Sequence, residues 1–144
     1  MKVENVLKVK GTTVEMASPD DRAIAAIGRL NSKGIGALVV SGDGQHLEGV
    51  FSERDVVRGL ARFGDRALSM RVGELMSRAV PVCSPSDTLK HVMAEMTRTR
   101  HRHLPVVEGG RLRGIVSIGD LVKHRLDEME LEASVLRDAY LARP

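Results

Sequence analysis

The residues best suited to chemistry in this sequence are two serine and aspartate pairs, Ser52 with Asp55 and Ser117 with Asp120. Each serine ends an apolar run typical of a strand and precedes a helical pattern. The first amides of such a helix lack partners and attract phosphate, and the later carboxylate has two acceptor oxygens for two ribose hydroxyls. The spacing equally fits a capping box, in which both side chains serve only backbone amides.

A basic cluster forms the second set of candidate residues, directly before an apolar strand: Arg98, Arg100, His101, Arg102 and His103. Arginine suits phosphate because its charge is permanent and it gives two parallel hydrogen bonds. A solvated basic loop is the alternative. The two histidines are not expected to bind a metal, since no third ligand is spaced to join them.

Both sets lie in a sequence that repeats itself. SPDDRAIAAIGRLNSKGIGALVV, from Ser18, returns as SPSDTLKHVMAEMTRTRHRHLPV from Ser84, and GVFSERD returns as GIVSIGD. A period this long indicates a duplicated supersecondary unit whose copies pack as pseudo-symmetric halves. We predict an α/β (α+β) protein with a first repeat at residues 1–66, a second at 67–126 and a helical extension at 127–144.

Each copy is predicted to run helix, strand, strand, helix. The first copy has a helix from Ser18, strands at 35–40 and 47–51 and a helix to about Arg62; the second has strands at 104–107 and 112–116. An added N-terminal strand is expected at 14–16 and at 80–82, and VGELM is expected to form a short helix. The last helix continues past the repeat along an apolar stripe, which either covers a second chain or folds back on its own core: Leu121, Val122, Leu126, Met129, Ala133, Leu136 and Tyr140.

The motifs GVFSERD, GIVSIGD and HRHLPVV, present across two copies, resemble a tandem pair of CBS domains, the Bateman module, from about Val6 to Arg125. The resemblance implies two sheets that pack together, chains that dimerise into a flat disc, and adenine nucleotides in clefts between the copies. It also implies a ligand sensor without chemistry of its own, and therefore not an enzyme.

By this resemblance Asp55 and Asp120 hold ribose, while the side chains or backbone of Arg100, Arg102 and His103 face the nucleotide phosphates. Because Gly34 and Gly36 stand where the second copy has two arginines, phosphates in the first cleft are expected to depend on Arg54 and Lys33, and those in the second on the arginines. The full candidate set is Lys33, Gly36, Ala37, Ser52, Arg54, Asp55, Val80, Arg100, Arg102, His103, Leu104, Ser117, Ile118 and Asp120.

Composition narrows the classes of function that remain. The chain has a net charge of +3, one cysteine, two Phe, one Tyr and no Trp, so stacking platforms for nucleic acid are scarce. With no apolar signal core and no membrane span, the expected setting is a reducing cytoplasm. The expected ligand is AMP, ADP, ATP or NAD, bound by a homodimer that acts on an unknown effector, with no catalytic cofactor or metal. Two alternatives stay open: a ligand-free dimerisation scaffold and a small basic nucleic-acid binder.

Overall fold

The computed structural model describes residues 1–143, and its first half follows the predicted order. A three-stranded sheet has β1 parallel to β2 and β2 antiparallel to β3. The elements are α1 (Val3–Lys10), β1 (Met16–Ala17), α2 (Ala23–Lys33), β2 (Ala37–Val40), β3 (Gly49–Ser52) and α3 (Glu53–Phe63). Every residue of β2 is buried, as expected for a short apolar strand covered on both faces.

The second half repeats this arrangement after a connecting segment. That segment holds a 3₁₀ helix (Gly64–Ser69) and α4 (Val72–Leu75), the short helix predicted from VGELM. Then follow α5 (Leu89–Thr99), β4 (His103–Glu108), β5 (Arg111–Ser117) and α6 (Ile118–Leu141). β4 and β5 form an antiparallel pair with a register shift between Val106 and Val107. The predicted α/β (α+β) class is confirmed.

Two local predictions needed correction. The helices begin at Ala23 and Leu89 rather than at the serines, because Ser18 donates its amide to the Asp21 carboxylate (2.9 Å) and forms a turn instead. The added strand of the first copy lies at Met16–Ala17. In the second copy it is reduced to a single bridge between Cys83 and Val106.

The core consists of two apolar clusters, and the segment before each copy completes the cluster of the other copy. Residues of α1 lie in the cluster built mainly from the second copy, whereas Val72 of α4 lies in the cluster of the first. Backbone hydrogen bonds hold each of these segments on the opposite copy. The Val3 amide donates to the Asp87 carbonyl (2.9 Å), and the Val72 amide donates to the Asp21 carbonyl (2.8 Å). The two copies are therefore joined through shared cores.

The C-terminal helix does not fold back on its own core. Leu121, at its start, is fully buried, but Leu136 and Tyr140 are 71% and 73% exposed. The apolar stripe of α6 beyond Leu121 is thus uncovered in the single chain.

Candidate functional site

A cavity of about 800 Å³ opens between the two copies. Its walls come from both halves, and the predicted residues that line it are Gly36, Ala37, Ser52, Arg54, Asp55, Val80, Arg100, Arg102 and His103. The other lining residues are Val50, Glu53, Arg58, Ser77, Thr99 and His101. A space of this size matches the usual range for small-molecule sites, roughly 300–1,000 Å³.

The Asp55 carboxylate is fixed at the wall of this cavity. Asp55 is only 4% exposed; the Ser52 amide (2.8 Å) and hydroxyl (3.0 Å) donate to its Oδ2, and the Ser77 hydroxyl donates to its Oδ1 (2.6 Å). The capping bond is therefore present, and three of the roughly four acceptor positions of the carboxylate are occupied, which leaves one on Oδ1. Ser77, outside the repeated motifs, gave no signal in the sequence.

The helix amides are less available than the sequence suggested. The first amide of α3, from Glu53, donates to the Gly36 carbonyl (3.1 Å), and the first of α6, from Ile118, donates to the Arg102 carbonyl (2.8 Å). The Asp120 amide donates to the Ser117 hydroxyl (3.1 Å). An anion at either helix start therefore relies mainly on side chains.

Four residues of the basic cluster, Arg100 to His103, line the cavity of Asp55, contrary to the expectation that the cluster serves the cleft of Asp120. The fifth, Arg98, pairs with Glu95 (2.6 Å). Arg54 donates from Nη1 to the Arg100 carbonyl (3.3 Å), which ties α3 of the first copy to the cluster. A Cβ placed on Gly36 would lie 3.0 Å from Cε1 of His103, so the imidazole packs closely over this glycine. The arginines missing from the first copy are thus supplied by the second.

Arg100 holds an unusual backbone conformation at the end of α5. Its φ of 58° and ψ of 37° lie in the left-handed region, and it is the only residue other than glycine with positive φ in the described part of the chain. The corresponding Gly34 has nearly the same angles, 62° and 37°. A side chain in this conformation costs about 1–2 kcal/mol relative to the right-handed region. The position thus carries an arginine at a cost in stability.

The predicted residues outside the cavity lining are Lys33, Leu104, Ser117, Ile118 and Asp120. Lys33 lies 3.8 Å from the Glu15 carboxylate, and Leu104 is fully buried in the core. Asp120 accepts a hydrogen bond from the Lys10 ammonium at 2.5 Å. Burial alone would raise the pKa of Asp120, but the bonds from Lys10 and Ser117 outweigh it and lower that pKa. The two copies therefore present unequal sites.

Comparison with known proteins agrees with this architecture. A family model for the CBS domain matches residues 9–62 and 72–127. This chain belongs to the CBS-domain family. The CBS-domain containing protein ATU1752 from Agrobacterium tumefaciens has a solved structure with 41% identity and a TM-score of 0.82, which covers 87% of this chain and 99% of that one.

Two other CBS proteins are similar along most of their length. The mitochondrial CBS domain-containing protein CBSX3 of Arabidopsis thaliana is 31% identical over 96% of this chain and 71% of its own. The structure of CBSX2, solved in complex with AMP, has 27% identity and a TM-score of 0.72, and covers 83% of this chain and 92% of that one. CBS domains are generally regulatory modules without catalysis.

His103 of this CBS pair differs from the arginines beside it in charge. Burial lowers the pKa of His103 below its ordinary 6.5, and the nearby Lys10 acts in the same direction, against Asp120 and Glu53. The lowered pKa favours the neutral imidazole of His103, so the arginines supply the permanent positive charge. Nδ1 of His101, whose residue also lines the cavity, is buried without a hydrogen-bond partner among residues 1–143.

The described residues give little support to cysteine-based catalysis or to a metal site. Burial, with a further contribution from Asp87, raises the pKa of the Cys83 thiol to about 12, so this cysteine is a poor nucleophile. Within residues 1–143 no three His, Cys, Asp or Glu side chains come together as a metal site. Over the same residues, none of the helices is long and apolar enough to span a bilayer.

Proposed function

We propose that this CBS pair is a non-catalytic regulatory module that binds an adenine nucleotide in the cavity between its copies. The observation that carries the proposal is the meeting of Asp55, from the first copy, with Arg100 and Arg102 from the second in one cavity. Candidate ligands are AMP, ADP, ATP and the AMP half of NAD, with S-adenosylmethionine as a further adenosine ligand. The AMP complex of CBSX2 supports this choice.

Each part of an adenine nucleotide has suitable residues in the cavity lining. The acceptor position left on Oδ1 of Asp55 suits a ribose hydroxyl, and a carboxylate binds a hydroxyl more strongly than a neutral acceptor does. The arginines suit phosphate. Apolar groups of Ala37 and Val80 offer a place for adenine beside the strands.

A ligand in this position would act by joining the two halves. Since its contacts come from both copies, it favours the packing in which all of them are made at once. A ligand shifts such an equilibrium only by its difference in affinity between states, commonly about 1–3 kcal/mol. An effector protein that reads the packing is the expected output. The buried Cys83 fits a reducing compartment, and we place the protein in the cytoplasm.

Calorimetry with a nucleotide panel tests the proposal. Titration with AMP, ADP, ATP, NAD and S-adenosylmethionine is expected to give saturable heat for at least one of them. Inorganic phosphate, matched for ionic strength, should give none, because the site is expected to require the adenosine. If every ligand gives no heat, a ligand-free scaffold is the correct interpretation. Retention on DNA that falls steeply with salt would instead indicate a nucleic-acid binder.

We further propose that a second copy of the chain covers the stripe of α6. From Val122 the stripe continues through Leu126, Met129, Ala133, Leu136 and Tyr140 in steps of four and three residues, the spacing of a coiled-coil seam. In a parallel pair, Arg125 would face Glu130 of the other helix, and Glu132 would face Arg137. Both contacts join opposite charges, although Arg125 also pairs with Glu128 in its own helix. A homodimer follows from this surface.

Replacing Leu136 with glutamate is expected to shift the protein toward the 15.7 kDa mass of a single chain. The charge would lie in the apolar seam, where an unpaired carboxylate is strongly unfavourable. Light scattering across a dilution series measures the mass. The matched control is Leu131→Glu, which changes an equally large side chain, 66% exposed, outside the stripe of the same helix. Equal masses for all three proteins would contradict this dimer.

A further inference from the structure

The Asp120 carboxylate already has a positive partner from the chain itself. The ammonium of Lys10, at the end of α1, donates to Oδ2 of Asp120 (2.5 Å) and to the backbone carbonyl of Ile115 (2.9 Å). The Lys10 side chain is 34% exposed and that of Asp120 is 27% exposed. The contact is thus a partly buried ion pair in which the ammonium is also held by a second acceptor.

The first cleft has a neutral group in the same role. Ser77 donates its hydroxyl to Oδ1 of Asp55 (2.6 Å), and its backbone pairs in both directions with Val50, which corresponds to Ile115 in the repeat. The segment before the first copy thus supplies Lys10 to Asp120 of the second copy, and the segment before the second copy supplies Ser77 to Asp55 of the first. A serine leaves the charge of its carboxylate uncompensated, whereas a lysine neutralises it.

The contrast between a serine at Asp55 and a lysine at Asp120 determines which ligand each carboxylate can bind. An adenosine ligand that approached Asp120 would have to displace an intramolecular ammonium, whose local concentration is far higher than that of any free ligand. The cleft would also lack a basic cluster, because Gly34 and Gly36 occupy the positions that correspond to Arg100 and Arg102. Neutralised Asp120 and missing arginines both disfavour a nucleotide there.

We propose that Lys10 keeps Asp120 from binding an adenosine ligand, so that each chain binds one nucleotide, at Asp55. The inference rests on the proposed function of the Asp55 cavity. It assigns to Lys10 a specificity-determining role in a segment that precedes the repeated motifs. Removal of the ammonium would return Asp120 to the state of Asp55, a carboxylate that a serine contacts without neutralising it.

Titration calorimetry with AMP, or with the adenosine ligand that binds best in the panel, tests the inference by stoichiometry. Wild type is expected to bind one molecule per chain, and Lys10→Ser to bind two, the second at least about tenfold more weakly because it lacks the arginines. Lys10→Gln, which keeps most of the side-chain length, checks that loss of charge is the cause. Lys8→Ser is the matched control in the same helix and should bind one. The double variant Lys10→Ser with Asp120→Asn should return to one.

The outcomes separate this inference from the function on which it depends. Two molecules per chain in wild type would overturn the role of Lys10 while supporting nucleotide binding. One molecule per chain in Lys10→Ser and Lys10→Gln would also overturn it. Absence of heat from every variant with every ligand would overturn the proposed function, and the inference with it.

Discussion

The Asp55→Asn variant is expected to bind its adenine nucleotide about 100-fold more weakly than wild type. Hydrogen bonds to a charged group contribute about 1.5–3 kcal/mol each, and about 1.4 kcal/mol corresponds to a tenfold change in affinity. Asparagine has the same shape but only one acceptor oxygen, and its NH₂ group would face either the ribose or the donors of Ser52 and Ser77. Titration calorimetry with the ligand selected by the panel measures the loss.

A stability effect must be separated from this binding effect. Because Asp55 is buried and accepts bonds from Ser52 and Ser77, the variant should also melt at a lower temperature. Binding is therefore measured well below the melting transition, after circular dichroism has verified the fold. The matched control is Asp87→Asn, since Asp87 also accepts the amide of a serine three residues earlier, Ser84 (2.8 Å), but lies outside the cavity lining. Equal affinities for Asp55→Asn and wild type would rule out ribose binding by this carboxylate.

The Arg100→Gly variant is expected to show opposite effects on stability and on binding. Glycine adopts the left-handed conformation without a steric cost, so the free energy of unfolding should rise by about 1 kcal/mol and the melting temperature by roughly 2–4 °C. Loss of the guanidinium should weaken nucleotide binding about tenfold, as expected for one charge-assisted contact. Thermal unfolding without ligand and calorimetry with ligand measure the two effects.

A second substitution at this position separates the two causes. Arg100→Asn also removes the charge, and asparagine tolerates the left-handed region better than most residues. It should lose as much affinity as the glycine variant with a smaller gain in stability. If Arg100→Gly melts below wild type, the backbone at this position is not costly; if it binds as tightly as wild type, the arginine does not contact phosphate.

Sequence reasoning succeeded where local pattern and repetition agreed. The strand, serine and helix order at Ser52 recurs at Ser117, and both helices begin at the following residue. It failed at Ser18, where the serine and proline pattern is typical of a helix start. There the carbonyls of Pro19 and Asp21 accept the amides of Gly73 and Val72, so the turn is kept open by contacts with a distant helix.

The site was harder to predict because its residues meet only through packing between copies. The repeat associates Arg100 and Arg102 with Asp120, yet in the folded chain both line the cavity of Asp55. Ser77 and Lys10 come from segments with no recognisable motif, and no local pattern links either residue to an aspartate. Types of residue could thus be predicted from the sequence, but their pairing could not.

The exchange of α1 and α4 between the two apolar clusters has a consequence for how the molecule can be divided. A fragment cut after residue 66 would keep Val3 and Val6, which have their partners in the other fragment, and would lose Val72 and Met76, which its own core requires. Neither piece would be a self-sufficient domain. The repeats are two by ancestry, but they are interlocked, and the smallest unit that folds cooperatively is the pair.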